Sequence, residues 1–427
     1  MRIRIYFLLV ALLGWACSPR SIIVKEVKLT EHDLQEHVGF ALYDLSSKKY
    51  LIDYQSDKYF TPASNTKIFT FYTSLMMLGD SATAFKYSQQ GDSLIIWGMG
   101  DPSFLYPNTF TNDRAYSFLR NAESELYYSS SNFKTEVLGS GWAWDDYPYS
   151  YSAERTGFPM YGNLISIDKD SIGFTIAPRY FIEHFTEATE PHTYEEVLRE
   201  LDNNQLTYFP GKSSERKWKV PYHFSGDLIV DLLSDTLKRQ VQEVSLPLSK
   251  DALSLKSVPL DSLYRVMMQD SDNFIAEQLL LQCAGILSDT LKPEIAIQYA
   301  KQNFLSDLPD EPAWVDGSGL SRYNLFTPRS IVKLWEKIYD QVPQERLFSL
   351  LATSGRNGTI RNWYRNGTPY IYGKTGTLSN NHSLSGYLIT RKGKIFIFSM
   401  MNNNYLASTN DVRKRMEKIL LTIHEKY

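Results

Sequence analysis

Cysteine is almost missing from this chain: 427 residues contain two, Cys17 and Cys283. If Cys17 is cut away or modified, Cys283 has no partner, so no disulfide staples the fold. Cys283 sits in an apolar helical run with Leu279, Leu280, Leu281 and Ala284 and reads as a small core residue. Histidine is scarce too. None of the seven falls in a His-Glu-x-x-His pattern, and no cysteine pairs supply zinc ligands, which disfavours a metallopeptidase. Neither charge sign is in excess, with 45 Lys and Arg against 48 Asp and Glu, so no broad electrostatic case for nucleic acid exists. Beyond the N-terminus no run of 18 apolar residues occurs, which excludes a further membrane-spanning helix.

What is present starts with an export signal over residues 1–17. Arg2 and Arg4 form a charged start, and Ile5 to Leu13 form an apolar run too short to cross a bilayer. Cys17, following Ala16, resembles the lipidated cysteine of a bacterial lipoprotein. Cleavage after Gly14-Trp15-Ala16 by an ordinary signal peptidase is the alternative. The mature protein is therefore expected in the cell envelope, periplasmic, with the membrane reached only through a lipid anchor at Cys17.

A chain of this length suggests more than one core. Residues 18–30 read as a short tether, 31–85 and 250–427 as two parts of one catalytic domain, and 86–249 as a β-rich insertion between them. The stretches from His37 to Leu45 and from Tyr50 to Tyr54 alternate apolar and polar residues around a Ser-Ser-Lys-Lys turn, a hairpin pattern. From Ser64 the period becomes helical through Ile68, Phe69, Phe71, Tyr72, Leu75 and Met76, and Gly79 stops it. Leu260 to Met268 and Phe274 to Leu287 are helical, with Ser271 in the break. Ile371 to Gly376, Leu384 to Thr390 and Lys394 to Met401 read as strands, and Val412 to His424 as a closing helix. Strands at both ends with helices between them imply a single sheet built from the two termini, an α+β architecture.

Three short motifs follow one another: Ser64-Asn65-Thr66-Lys67, then Ser271-Asp272-Asn273, then Lys374-Thr375-Gly376. Alone, each is weak. Ser-x-x-Lys recurs at Ser46, Ser131, Ser166, Ser214 and Ser330, whereas Lys-Thr-Gly occurs once. Together they describe acyl transfer in which a lysine activates the serine. Residues i and i+3 share a helix face, which sets Lys67 beside Ser64. A buried lysine near other cations loses basicity toward the neutral range and can take a proton. Ser271 can relay a proton to the leaving group, Asn273 can orient Lys67 and a substrate amide, and Asp272 caps the following helix. Lys374 offers positive charge to a substrate carboxylate, with Thr375 and Thr377 as hydrogen-bonding partners. Gly376 lets a substrate backbone approach the strand edge, and the amides of Ser64 and Thr377 form a candidate oxyanion hole.

On these motifs the chain resembles the penicillin-binding-protein and serine β-lactamase superfamily. Within it, the chain resembles D-alanyl-D-alanine carboxypeptidases/endopeptidases with a large insert after the first motif. Gly98-Met99-Gly100-Asp101-Pro102-Ser103, Asp316-Gly317-Ser318-Gly319-Leu320-Ser321-Arg322 and Gly358-Thr359-Ile360-Arg361 extend the match. The resemblance implies a β-lactamase/transpeptidase-like antiparallel sheet flanked by helices and cleavage of peptidoglycan stem peptides through an acyl-enzyme on Ser64. It also implies trapping of that serine by β-lactam antibiotics, with no metal or other cofactor. A β-lactamase or esterase on the same fold and a non-catalytic peptidoglycan-binding envelope protein stay open as alternatives. Asp316 to Gly319 reads as a tight turn rather than a nucleophile elbow, and Gly91-Asp92-Ser93-Leu94 as a hairpin turn.

Overall fold

The computed structural model describes residues 18–107, 109–110, 113–212 and 216–427; the expected signal segment and Cys17 lie outside them. The central sheet has six strands in the order Ala352–Thr353, Ile371–Leu378, Asn381–Ile389, Ile395–Asn403, His37–Asp44, Lys49–Tyr54. All its pairings are antiparallel, and His37 lies opposite Asn403. The two ends of the chain thus build one sheet, as the strand patterns imply.

Period-two alternation explains why this sheet is covered on both faces. Val38, Phe40, Leu42, Phe396, Phe398 and Met400 point to one side, into a core shared with the helices Pro19–Leu34 and Thr409–Lys426. Ala41, Tyr43, Ile397 and Met401 point to the other, against the helices Lys67–Met77, Leu260–Gln269, Asn273–Leu287 and Pro328–Gln341. The Lys67–Met77 helix is held there by Ile68, Phe69 and Phe71, with Phe69 stacked on Phe326 at 4.1 Å between ring centres.

Two expectations are corrected. Residues 18–30 are not a tether: they belong to the helix Pro19–Leu34, capped by the Ser18 side chain with Pro19 at its first position. Ile23, Val27 and Thr30 recur at helical spacing and are buried against the C-terminal helix, where the Lys418–Glu26 and Arg415–Asp33 ion pairs, at 2.7 and 3.0 Å, line the seam. The inserted block also reaches beyond 86–249. Strands Ser81–Gln90 and Leu253–Pro259 pair with each other from Ser81 opposite Pro259 onward, so both ends of the insert leave the catalytic body through one two-stranded stem.

That stem belongs to a five-stranded sheet, Val241–Glu243, Glu125–Tyr128, Ser93–Gly98, Ser81–Gln90, Leu253–Pro259, and two three-stranded sheets follow. The insert has its own core around Phe85, Ile96, Leu126, Ile165 and Trp218, sealed by the helix Gly226–Leu237. Gly91 and Asp92 form the turn between the first two strands, as the sequence pattern suggests.

Candidate active site

The first motif does not begin on an α-helix. Ala63–Thr66 form a 3-10 turn, entered through Ala63 at φ 49°, and the α-helix starts at Lys67. Asn65 fixes this turn to the sheet. Its buried amide donates to the Lys374 carbonyl at 3.2 Å and to Ser383 Oγ at 2.8 Å, and its oxygen accepts from Ser385 Oγ. Sequence reasoning gave Asn65 no role, because its partners lie on strands more than three hundred residues away.

Lys67 is fully buried, and its Nζ stands 2.8 Å from Ser64 Oγ, 2.6 Å from Asn273 Oδ1 and 2.6 Å from the Ser318 carbonyl. As an ammonium it donates to all three. As an amine it keeps two hydrogens, and the two carbonyl-type oxygens, which can only accept, hold both. The lone pair is then left facing the Ser64 hydroxyl, the arrangement a base needs. Burial brings Lys67 down to about 8, while Asp316, Asp272 and Glu277 act in the opposite direction.

The second motif meets the first through Asn273. Ser271 adopts φ 65°, a left-handed conformation that a serine rarely takes. Asp272 caps the Asn273–Leu287 helix through the Ile275 amide at 2.8 Å, as expected. Its second oxygen accepts from Tyr106 Oη at 2.6 Å. Asn273 also donates to the Tyr151 carbonyl at 2.9 Å, so Tyr106 and Tyr151 of the insert brace this motif.

In the third motif Lys374 Nζ donates to Ser271 Oγ at 2.8 Å and to the Thr375 carbonyl at 2.8 Å. Burial and the nearby Lys67 charge push it well below the usual lysine range, against Asp270. Gly376 is the point of closest approach: a Cβ there would fall 2.4 Å from the Pro62 carbonyl and 2.9 Å from the Ser64 amide. Thr377 is exposed into a cleft of about 590 Å³ that also contains Ser64, Asn273, Gly319, Leu320 and Arg322. Thr375 does not line that cleft; its hydroxyl bonds Thr359 Oγ1 at 2.7 Å.

All five candidate catalytic residues therefore sit in two bonded groups, Ser64–Lys67–Asn273 and Ser271–Lys374, joined through the short Ser271–Asn273 segment. Sequence reasoning missed the cleft wall contributed by the insert, where Asp145, Asp146 and Tyr151 lie. It also took Asp316 to Gly319 for a plain turn. Turn it is, but its Ser318 carbonyl is a Lys67 partner.

Comparison with known proteins agrees with this architecture. Residues 24–425 match the D-Ala-D-Ala carboxypeptidase 3 (S13) family. The D-alanyl-D-alanine carboxypeptidase DacB of Haemophilus influenzae is 22% identical, over 91% of this chain and 90% of its own. The crystal structure of penicillin binding protein 4 from Haemophilus influenzae has the same fold, with a TM-score of 0.73 at 19% identity over 93% of this chain and 99% of that one. A second crystal structure of that protein, complexed with a β-lactam, aligns with a TM-score of 0.68 at 18% identity over 93% and 98% of the two chains. With a match spanning nearly all the described residues, the chain belongs to the D-Ala-D-Ala carboxypeptidase 3 (S13) family.

Proposed function

We infer that this enzyme is a serine-type D-alanyl-D-alanine carboxypeptidase that acts on peptidoglycan stem peptides and is trapped by β-lactams. The observation that carries the assignment of roles is the coordination of Lys67, whose only free direction as an amine points at Ser64 Oγ.

In the reaction, Lys67 takes the Ser64 proton while Oγ bonds the carbonyl carbon of the penultimate D-Ala. The oxyanion forms where the Ser64 amide and the Thr377 strand meet, across the space that Gly376 leaves open. Ser271 relays to the departing amine the proton that Lys67 took from Ser64, so that Ser271 and Lys67 return to hydroxyl and amine as the C–N bond breaks and terminal D-Ala leaves. Lys374 keeps Ser271 oriented and supplies positive charge toward the terminal carboxylate, which Thr377 also bonds. Thr375 supports the strand through Thr359. Water then releases the shortened peptide by the same steps in reverse, with Lys67 as base.

Residues 1–17 serve as an export signal that delivers the enzyme to the periplasmic side of the envelope, with Cys17 as the acylated residue. The helix Pro19–Leu34, capped by Ser18, packs against the C-terminal helix, so an anchor on Cys17 would hold that end of the enzyme close to the membrane surface. No helix among the described residues is long and apolar enough to cross a membrane.

Fluorescent penicillin should label the purified protein covalently and leave Ser64→Ala unlabelled, and D-alanine should be released from a pentapeptide stem faster than penicillin is hydrolysed. No labelling at high reagent concentration defeats the assignment in favour of a binding module, and rapid turnover of penicillin favours a β-lactamase.

A further inference from the structure

The insert and the base are connected by a short chain of hydrogen bonds. The peptide group whose carbonyl accepts from Lys67 is the one between Ser318 and Gly319, and its N–H, on Gly319, donates to Asp316 Oδ1 at 2.8 Å. Asp316 is fully buried and takes four donors. Gly319 N and Asn324 Nδ2 share one oxygen, both at 2.8 Å. Ser321 N at 2.7 Å and Trp142 Nε1 at 2.9 Å share the other. All four are neutral, so its negative charge is solvated by dipoles instead of being cancelled by a paired cation. Trp142 is the only one of the four that the insert supplies, and the Arg155 guanidinium lies 5.4 Å from its ring centre. Gly319 itself has φ +82°, and a Cβ on it would lie 1.9 Å from the Ala63 carbonyl, so the turn packs directly under the Ser64 segment.

We propose that Asp316, held by Trp142 of the insert, is a positioning residue for the base: it fixes the Ser318–Gly319 peptide so that its carbonyl binds one Lys67 hydrogen and its charge steadies the Lys67 ammonium. The insert is then part of the catalytic apparatus, and not only a binding surface beside it. A peptide polarised between a carboxylate on its N–H and an amine on its carbonyl is a stronger acceptor than a free one. The other charges facing Lys67 are Asp272 and Glu277 on the acidic side and Lys374 on the basic side, with Arg155 set against Glu277 at 3.8 Å and Asp270 near Lys374.

This proposal rests on Ser64 as nucleophile and Lys67 as base, and the test separates the two. The acylation rate constant k2 and the dissociation constant for a fluorescent penicillin are measured from pH 6 to pH 9. Asp316→Asn places an amide nitrogen against N–H donors and removes the charge. The expected result is a k2 at least about tenfold lower and an acid limb moved by about half a unit or more toward lower pH, because an ammonium without its anion loses its proton more readily. A merely structural role lowers the rate without moving that limb, and an unmoved limb overturns the proposal. Should melting curves show that Asp316→Asn does not fold, Trp142→Phe keeps the carboxylate and three of its donors. For it, k2 should fall severalfold at an unchanged penicillin dissociation constant, and a wild-type k2 overturns the proposal. A wild-type protein that penicillin does not label at Ser64 would remove the basis of both readings, whereas normal labelling with unaltered variants defeats this one alone.

Discussion

The proposed role of Lys67 as base makes acylation depend on pH in a direction that can be worked out. In water a lysine amine has its ordinary value of 10.5, and at pH 7 roughly 0.03% of it is neutral. Burial brings Lys67 to about 8, which costs its charged form about 3 kcal/mol relative to water. At pH 7 about a tenth of Lys67 is then neutral, roughly 300 times more than in water, and at pH 9 about nine tenths. Since only the amine can accept the Ser64 proton, acylation should rise about tenfold between pH 7 and pH 9 and level off. In this reading, deprotonation of Lys374 acts on the opposite limb, since it removes the cation proposed to face the substrate carboxylate, and burial and the nearby Lys67 charge favour that loss. Stopped-flow measurement of penicillin acylation across this range reads the acid limb directly. A rate that is flat from pH 6 to pH 9, or that rises only above pH 10, would refute Lys67 as the base.

Two further substitutions probe the geometry. Gly376→Ala should lower acylation by roughly 100-fold and lower the melting temperature as well. Its Cβ would press on the Pro62 carbonyl and the Ser64 amide and displace the nucleophile by a fraction of an ångström; a wild-type acylation rate would contradict the packing. Ile23→Ala should destabilise the fold by about 3 kcal/mol in a urea titration, because Ile23 is fully buried between the N-terminal helix, the sheet and the C-terminal helix. An unchanged midpoint would restore the tether reading of that segment.

The legible parts of this protein were those with local periodicity. The His37 hairpin, the Phe274 helix and the three C-terminal strands each announce themselves within a dozen residues, and the motifs mark where they converge. The N-terminal helix was hidden because its polar residues dominate, and its buried stripe of Ile23, Val27 and Thr30 has meaning only beside the C-terminal helix. The links from Tyr106 to Asp272, Tyr151 to Asn273 and Trp142 to Asp316 span 166, 122 and 174 residues, distances over which single-sequence patterns say nothing. The candidate nucleophile, base and relay were visible as residues; what orients them was not.

The pairing of His37–Asp44 with Ile395–Asn403 has a consequence for biosynthesis. A nascent chain carries Ser64 and Lys67 early, yet the strand that pairs with His37–Asp44 emerges more than three hundred residues later. Contacts of such long sequence separation form slowly. A fragment that stops before that strand leaves His37–Asp44 without its partner in the central sheet, so competence to cut the wall should arrive only after the strand has emerged.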